Sequence, residues 1–280
     1  MEMPAAALRE LVSRALDEDL GRGDITTDAC VDASLRGGAS LTARTPLVLA
    51  GVGVLVEVYR QVDERVSVNA LLADGARLAA GTVVATLEGP SGSLLKGERV
   101  ALNFVQRMCG VATISRSYVD ALPASSATRI TDTRKTTPGL RLIERYAVRC
   151  GGAHNHRNDL SSAVLIKDNH IAACGGVFQA VERARAYAPH TARITCEVDR
   201  MDQIEPALSA GADVIMLDNF DDTTLSTAVS LIGGRALTEV SGGVTLARIP
   251  IIAAAGVDVI SVGALTHSAP ASDLGLDWNL

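Results

Sequence analysis

The stretch GGAHNHRNDL, residues 151–160, sets two histidines two residues apart, with an arginine directly after them and a glycine pair before them. Two chemistries compete for it. A Zn²⁺ site would use His154 and His156, but Arg157 puts a cation against His156, and no carboxylate or cysteine stands at typical ligand spacing. An anion site fits better. Gly151 and Gly152 let the backbone approach a ligand, and His156 and Arg157 can give charge-assisted hydrogen bonds to a carboxylate. His154 reads as a surface or packing residue.

The surroundings are basic. Residues 129–167 hold eight cations (Arg129, Arg134, Lys135, Arg141, Arg145, Arg149, Arg157 and Lys167) against three acids (Asp132, Glu144 and Asp159), in a chain of formal charge −6. Arg141, Arg145 and Arg149 recur every four residues with Glu144 nearby, and a solvated helix face explains them as well as a binding role does. Only three of the 26 lysines and arginines are lysine: Lys96, Lys135 and Lys167. A bias toward arginine accounts for the scarcity. Lysines retained against it at strand ends suggest a need for a compact point charge. Further on, Glu197, Asp199 and Asp218 could form salt bridges, hold Mg²⁺ or sugar hydroxyls, or stabilise a developing positive charge. The glycine-bearing runs SGG (241–243) and VGALTH (262–267) offer backbone N–H groups to a phosphate.

These residues need elements to position them. From about residue 128 the strand candidates ATRITDT, SAVLIKD, ARITCEV, ADVIMLD, ALTEVSG and VDVISVG alternate with helical segments such as GVFQAVERARAYA and DQIEPALSAGA. That is the βα repeat of a barrel or a doubly wound sheet. In a βα barrel chemistry gathers at the C-terminal strand ends. Those ends read Arg134-Lys135, Lys167 to His170, Glu197 with Asp199, Asp218-Asn219, Glu239 with Ser241 to Gly243, and Gly263 to His267, polar in every case. Earlier in the chain, Leu8, Leu11, Val12, Ala15 and Leu16 follow helical spacing. Residues from about 40 to 90 read as short strands and turns around a helix GVLVEVYRQV. In GERVALNFVQRMCGVAT, Leu102, Val105, Gln106 and Cys109 share a helix face.

Composition bounds the rest. With 48% hydrophobic and 3% aromatic residues, the core rests on aliphatic side chains, as a buried parallel sheet requires. An acidic chain with few aromatics argues against nucleic acid. The charged N-terminal segment is no signal peptide, and Asp258 interrupts the apolar run IPIIAAAGVDVISVGAL, so no membrane span is expected. Five scattered cysteines without a CxxC pair suit a reducing, cytoplasmic setting. Together a basic pocket, a phosphate cradle and intervening carboxylates suit transfer from a phosphorylated sugar to a carboxylated acceptor.

At these residues the sequence resembles the quinolinate phosphoribosyltransferase (decarboxylating) family. The likeness includes ALDEDLGRGDITT (15–27), GERVALNFVQRMCGVAT (97–113), DTRKTTPGLR (132–141), RYAVRCGGAHNHR (145–157), LIKDNHI (165–171), EVD (197–199), IMLDNF (215–220), EVSGGV (239–244) and ISVGALTHSAP (260–270). The resemblance implies an α/β fold: an N-terminal open-faced α/β sandwich, then an incomplete six- to seven-stranded α/β barrel of the type II phosphoribosyltransferase kind. The domains would be 1–110, with the tail 269–280 packing back on it, and 111–268. The implied reaction joins quinolinate and phosphoribosyl pyrophosphate, with Mg²⁺, to give nicotinate mononucleotide, pyrophosphate and CO2 in NAD synthesis. Arg134, His156, Arg157 and Lys167 match quinolinate-binding residues, and Arg99 matches an arginine supplied by a second subunit of a homodimer or hexamer. Lys135 matches a contact to phosphoribosyl pyrophosphate. Glu197 and Asp218 match acids near the ribose and metal. Ser241, Gly242, Gly243, Gly263 and His267 fall in the phosphate-binding loops. On this reading Lys135, Lys167, Glu197 and Asp218 form the catalytic set. Ala153, Ser162 and Cys109 depart from the family pattern, and Ser162 puts local support of the basic residues in doubt.

Three alternatives stand beside this reading. A paralogue acting on nicotinate would need fewer cations. A non-catalytic anion-binding protein would need no carboxylates at the sugar. A biotinyl-type carrier, suggested by DGARLAAGTVVATLEGP, would need a hairpin-tip lysine, and residues 40–90 contain none.

Overall fold

The computed structural model describes residues 3–279. The chain forms two compact units: Met1–Arg116 with Thr136–Gly152 and Leu265–Leu280, and Ser117–Lys135 with Ala153–Ala264.

The first unit opens with a helix, Ala5–Leu20, that buries Val12 and Leu16, one helical turn apart. The strands β1 (Arg36–Ala43), β2 (Leu47–Val48), β3 (Ser67–Ala70), β4 (Arg77–Leu78) and β5 (Val83–Pro90) follow. Helix Val52–Val62 lies between β2 and β3 and buries Val54, Leu55, Val58 and Tyr59, a single apolar stripe. The long helix Ser91–Asp120 carries the expected face: Leu102, Val105 and Cys109 are buried. Gln106 on that face serves the chain terminus instead, donating to Leu274 O at 2.8 Å and accepting from Ser272 N–H at 2.9 Å.

Residues 136–152, which the sequence reading places with the barrel, group with this first unit. Glu144 on the helix Arg141–Cys150 is fully buried there, with Ile143, Ala147 and Val148, and is not part of a solvated face. Arg107 reaches its Oε1 with Nη2 at 2.7 Å, and Thr137 donates to the same carboxylate through its N–H and its hydroxyl.

The second unit contains β6 (Arg129–Thr131), β7 (Val164–Ile166), β8 (Ile194–Val198), β9 (Val214–Asp218), β10 (Leu237–Ser241) and β11 (Val259–Ser261), one for each of the six strand candidates. They form a parallel sheet in the order β6-β11-β10-β9-β8-β7. Each step from β7 onward adds its strand on the same side, and β6 and β7 end at opposite edges, so the barrel is incomplete. His154 bridges in parallel to Thr131 and covers the β6 edge. The chain returns to the first unit as β12 (Leu274–Asn279), antiparallel to β1 in the sheet β12-β1-β5-β3. Gly110 permits the return, because a Cβ there would lie 1.9 Å from Pro270 O. Among the described residues no helix is long and apolar enough to cross a membrane.

Candidate active site

Register decides which side chains meet. In a parallel sheet, paired residues point to the same face and successive residues alternate. The pairs Thr131–Ser261, Val259–Glu239, Glu239–Met216, Ser241–Asp218 and Met216–Glu197 therefore share one face. Leu165 pairs with Thr195 on that face, and Lys167 follows two residues later at the strand end. The opposite face holds Ile130, Ile166, Ile194, Cys196, Val198, Ile215, Leu217, Val240 and Ile260, all buried. One face thus builds an aliphatic layer, while the other gathers hydroxyls, carboxylates and a lysine.

On the polar face Lys167 Nζ lies 2.5 Å from Glu197 Oε2. The two proposed site residues neutralise each other, and a substrate carboxylate reaching Lys167 would share it with Glu197. The Lys167 backbone N–H donates to His170 Nδ1 at 2.9 Å, which fixes the turn from β7 into the helix Asp168–Cys174.

The HNH loop hangs on a residue that sequence reasoning counted only as a charge. Asp132 has no exposed surface. Its Oδ2 accepts from Asn155 Nδ2 at 2.6 Å and its Oδ1 from His156 N–H at 2.7 Å. Its own N–H donates to His154 O, and His154 N–H donates to Ile130 O. His154 is therefore a structural position. His156 has contacts at both ring nitrogens. Its Nδ1 accepts from Arg157 N–H at 2.8 Å, and its Nε2 lies 3.2 Å from Oε1 of the buried Glu239. That approach misses hydrogen-bond geometry and leaves Oε1 a buried oxygen without a hydrogen-bond partner.

Arg157 donates through Nη1 to Ala163 O at 3.0 Å. Burial first, and then the Arg134 charge, lower its pKa from the ordinary arginine value, while Asp159 acts the other way. Hydrogen bonds from the side chains of Ser161, Ser162 and Asn158 and from Ser161 N–H hold the Asp159 carboxyl well below the usual range. Ser162 thus supports a neighbouring acid, donating to Asp159 Oδ1 at 2.7 Å. Cys109, another departure, accepts from Ala50 N–H at 3.3 Å and packs in the core.

Asp218 ends β9 with its Oδ2 accepting from Asn219 Nδ2 at 2.8 Å. Ser241 pairs with it in register, and Gly242 and Gly243 follow in the left-handed region. Among the described residues no group of three or more metal-ligating side chains occurs. Two acids on one polar face still suit Mg²⁺, which uses one or two carboxylates plus water and substrate phosphates. Gly263 follows β11 in the second unit. Lys135 is exposed, and its N–H donates to Thr133 Oγ1 at 3.1 Å. Arg99 and His267 belong to the first unit, Arg99 exposed on the helix Ser91–Asp120 and His267 with Nδ1 2.6 Å from Ser268 Oγ.

Comparison with known proteins matches this arrangement to one family. The description "Quinolinate phosphoribosyl transferase, N-terminal domain" matches residues 24–109, and "Quinolinate phosphoribosyl transferase, C-terminal domain" matches residues 111–277. A Bacillus subtilis protein named "Probable nicotinate-nucleotide pyrophosphorylase [carboxylating]" is 41% identical over 273 residues, covering 98% of this chain and 94% of its own. The Homo sapiens "Nicotinate-nucleotide pyrophosphorylase [carboxylating]" is 38% identical, covering 98% and 92%. The crystal structure of NadC from Streptococcus pyogenes superposes with a TM-score of 0.95 at 40% identity, covering 100% of both chains.

Proposed function

The chain belongs to the quinolinate phosphoribosyltransferase family, and we propose that it transfers a phosphoribosyl group from phosphoribosyl pyrophosphate to quinolinate with loss of CO2. The observation that carries this reading is the single polar face of the parallel sheet, where Lys167 meets Glu197 at 2.5 Å and Asp218 lies in register with Ser241 ahead of the Gly242–Gly243 turn. An acceptor site that draws on Arg134, Arg157 and Lys167 suits a dianion better than a monoanion. Quinolinate has two carboxylates and nicotinate one.

In the proposed reaction the ring nitrogen attacks C1′ of the ribose, forming the C1′–N bond as the bond to pyrophosphate breaks. Positive charge develops at the sugar carbon, where Glu197 and Asp218 are stabilising. Lys167 and the arginines orient the acceptor. The alkylated ring nitrogen then draws in the electron pair released when the 2-carboxylate departs as CO2, and a proton from water completes that carbon. Glu197 and Asp218 would hold Mg²⁺, which when bound neutralises pyrophosphate oxygens. The turns at Ser241–Gly243 and Gly263 would receive phosphate, and Lys135 the pyrophosphate end.

We expect purified protein with carboxyl-labelled quinolinate, phosphoribosyl pyrophosphate and Mg²⁺ to release labelled CO2. Consumption of nicotinate without CO2 would transfer the assignment to the paralogue. We further propose a cytoplasmic homodimer, or a hexamer built as a trimer of dimers, in which Arg99 completes the partner's site. The exposure of Arg99 and five unpaired cysteines support this reading. Mixing Arg99→Ala with Lys167→Ala subunits should then restore part of the activity that each lacks, and no recovery after subunit exchange would make each site self-contained.

A further inference from the structure

The loops after β9 and β10 are tied by two side chains that the reaction outlined above does not use. Asn219 has φ 58°, the one non-glycine residue in the left-handed region among the described residues. Asparagine is among the few side chains that visit this region, and the conformation persists where the surroundings over-determine it. The contacts holding it are specific. Asn219 N–H donates to Ser241 O at 3.1 Å, and Asn219 Nδ2 donates to Asp218 Oδ2 at 2.8 Å. Gly242 lies so close that a Cβ would stand 2.3 Å from Asn219 Oδ1 and 2.9 Å from Asp218 Oδ1.

Arg248 closes the same arrangement from behind. Its Nη1 donates to Gly243 O at 3.2 Å and its Nη2 to Phe220 O at 3.1 Å. Nε and Nη2 both reach Asp222 Oδ1, at 3.1 and 2.6 Å. One planar fork therefore spans both loops, and its acidic partner opens the helix Asp222–Ile232. Asn219 follows the end of β9, and Arg248 ends the short helical turn Leu246–Arg248. Both act where the Asp218 carboxylate meets the glycine turn.

We propose that Asn219 and Arg248 are positioning residues that lock the Asp218 carboxylate against the Ser241–Gly243 turn, and that this lock sets affinity for the phosphorylated sugar and not for the acceptor acid. The inference rests on the phosphoribosyl-transfer reading. Binding of phosphoribosyl pyrophosphate with Mg²⁺ is measured by calorimetry, alongside the KM for quinolinate, in the full-length protein. Asn219→Gly keeps the backbone conformation at no steric cost and removes the side chain, so its melting temperature should hold or rise while affinity for phosphoribosyl pyrophosphate falls about tenfold. Arg248→Met should weaken the same affinity about tenfold, with Arg248→Lys giving no rescue because the fork is lost. The KM for quinolinate should stay within about twofold, and the double variant should lose little more than either single one. Unchanged sugar affinity, equal losses for both substrates, or additive losses would overturn the lock. A wild-type chain that binds phosphoribosyl pyrophosphate but releases no CO2 removes the acceptor assignment and leaves the variants to judge the lock. A wild-type chain that does not bind it overturns both.

Discussion

Both ring nitrogens of His156 face the protein, Nδ1 toward Arg157 N–H and Nε2 toward Glu239. Nδ1 is taken up by the Arg157 N–H, so it is the Nε2 side of the ring that meets the Glu239 carboxylate, outside hydrogen-bond geometry. Glu239 is 4% exposed and its Oε1 makes no hydrogen bond, an arrangement that lowers stability. Such a cost is retained where it serves a site. Asp132 fixes the backbone of this loop and Glu239 faces its histidine ring, with Arg157 next in the chain. Glu239→Gln should therefore leave the melting temperature unchanged or raised, while the KM for quinolinate rises about tenfold through a looser Arg157. The KM for phosphoribosyl pyrophosphate should not move. A lower melting temperature with both KM values intact would make Glu239 a purely structural residue.

At the scale of elements, the alternation of short aliphatic strands with helical segments was legible because each strand must bury one face, and a period of two survives in ITCEV, VIMLD and LTEVS. That same period separates Glu197, Asp218 and Glu239 from the aliphatic layer, so the strand pattern and the site are one signal. Supports that join distant segments were not legible. Arg107 and Glu144 are 37 residues apart, and nothing local distinguishes the buried Glu144 from a solvated helix acid. Asp132 looked like one more charge in a basic window, yet it anchors the loop 23 residues on. Asn219 gave no sign of its backbone conformation. The aliphatic layer yields its own test. Ile215 is fully buried in β9, one strand position away from the polar Met216–Asp218 face. Ile215→Ala should cost about 2–5 kcal/mol in denaturant unfolding. Since its side chain points away from the site, substrate KM values should hold in the fraction that remains folded.

For the whole molecule, the relevant groups are the thiols and phenols spread through the interior. Burial pushes Cys109, Cys150 and Cys196 up to about 12 each, with the nearby charge of Asp74 or Glu197 adding to the effect. Burial also raises Tyr59 and Tyr146 above the ordinary phenol value, Tyr146 being hydrogen-bonded to Asp74 at 2.8 Å. The direction of linkage follows. Above the ordinary thiol value of 9.0 the unfolded chain gives up these protons, while the native chain keeps them until about 12. The unfolded state then binds fewer protons, and stability must fall as pH rises through that window. Below it the contribution is fully present and flat. The melting temperature should therefore be level from neutrality to near 9 and decline beyond, and Cys196→Ala should flatten the first part of the decline. Reactivity follows the same groups, because the thiolate is the nucleophile. At pH 8, iodoacetamide should label exposed Cys30 in the native protein and reach Cys109 and Cys196 only after unfolding, as read by peptide mass spectrometry. Rapid native labelling of Cys109 would mean that the helix Ser91–Asp120 opens locally at its contact with Ala50.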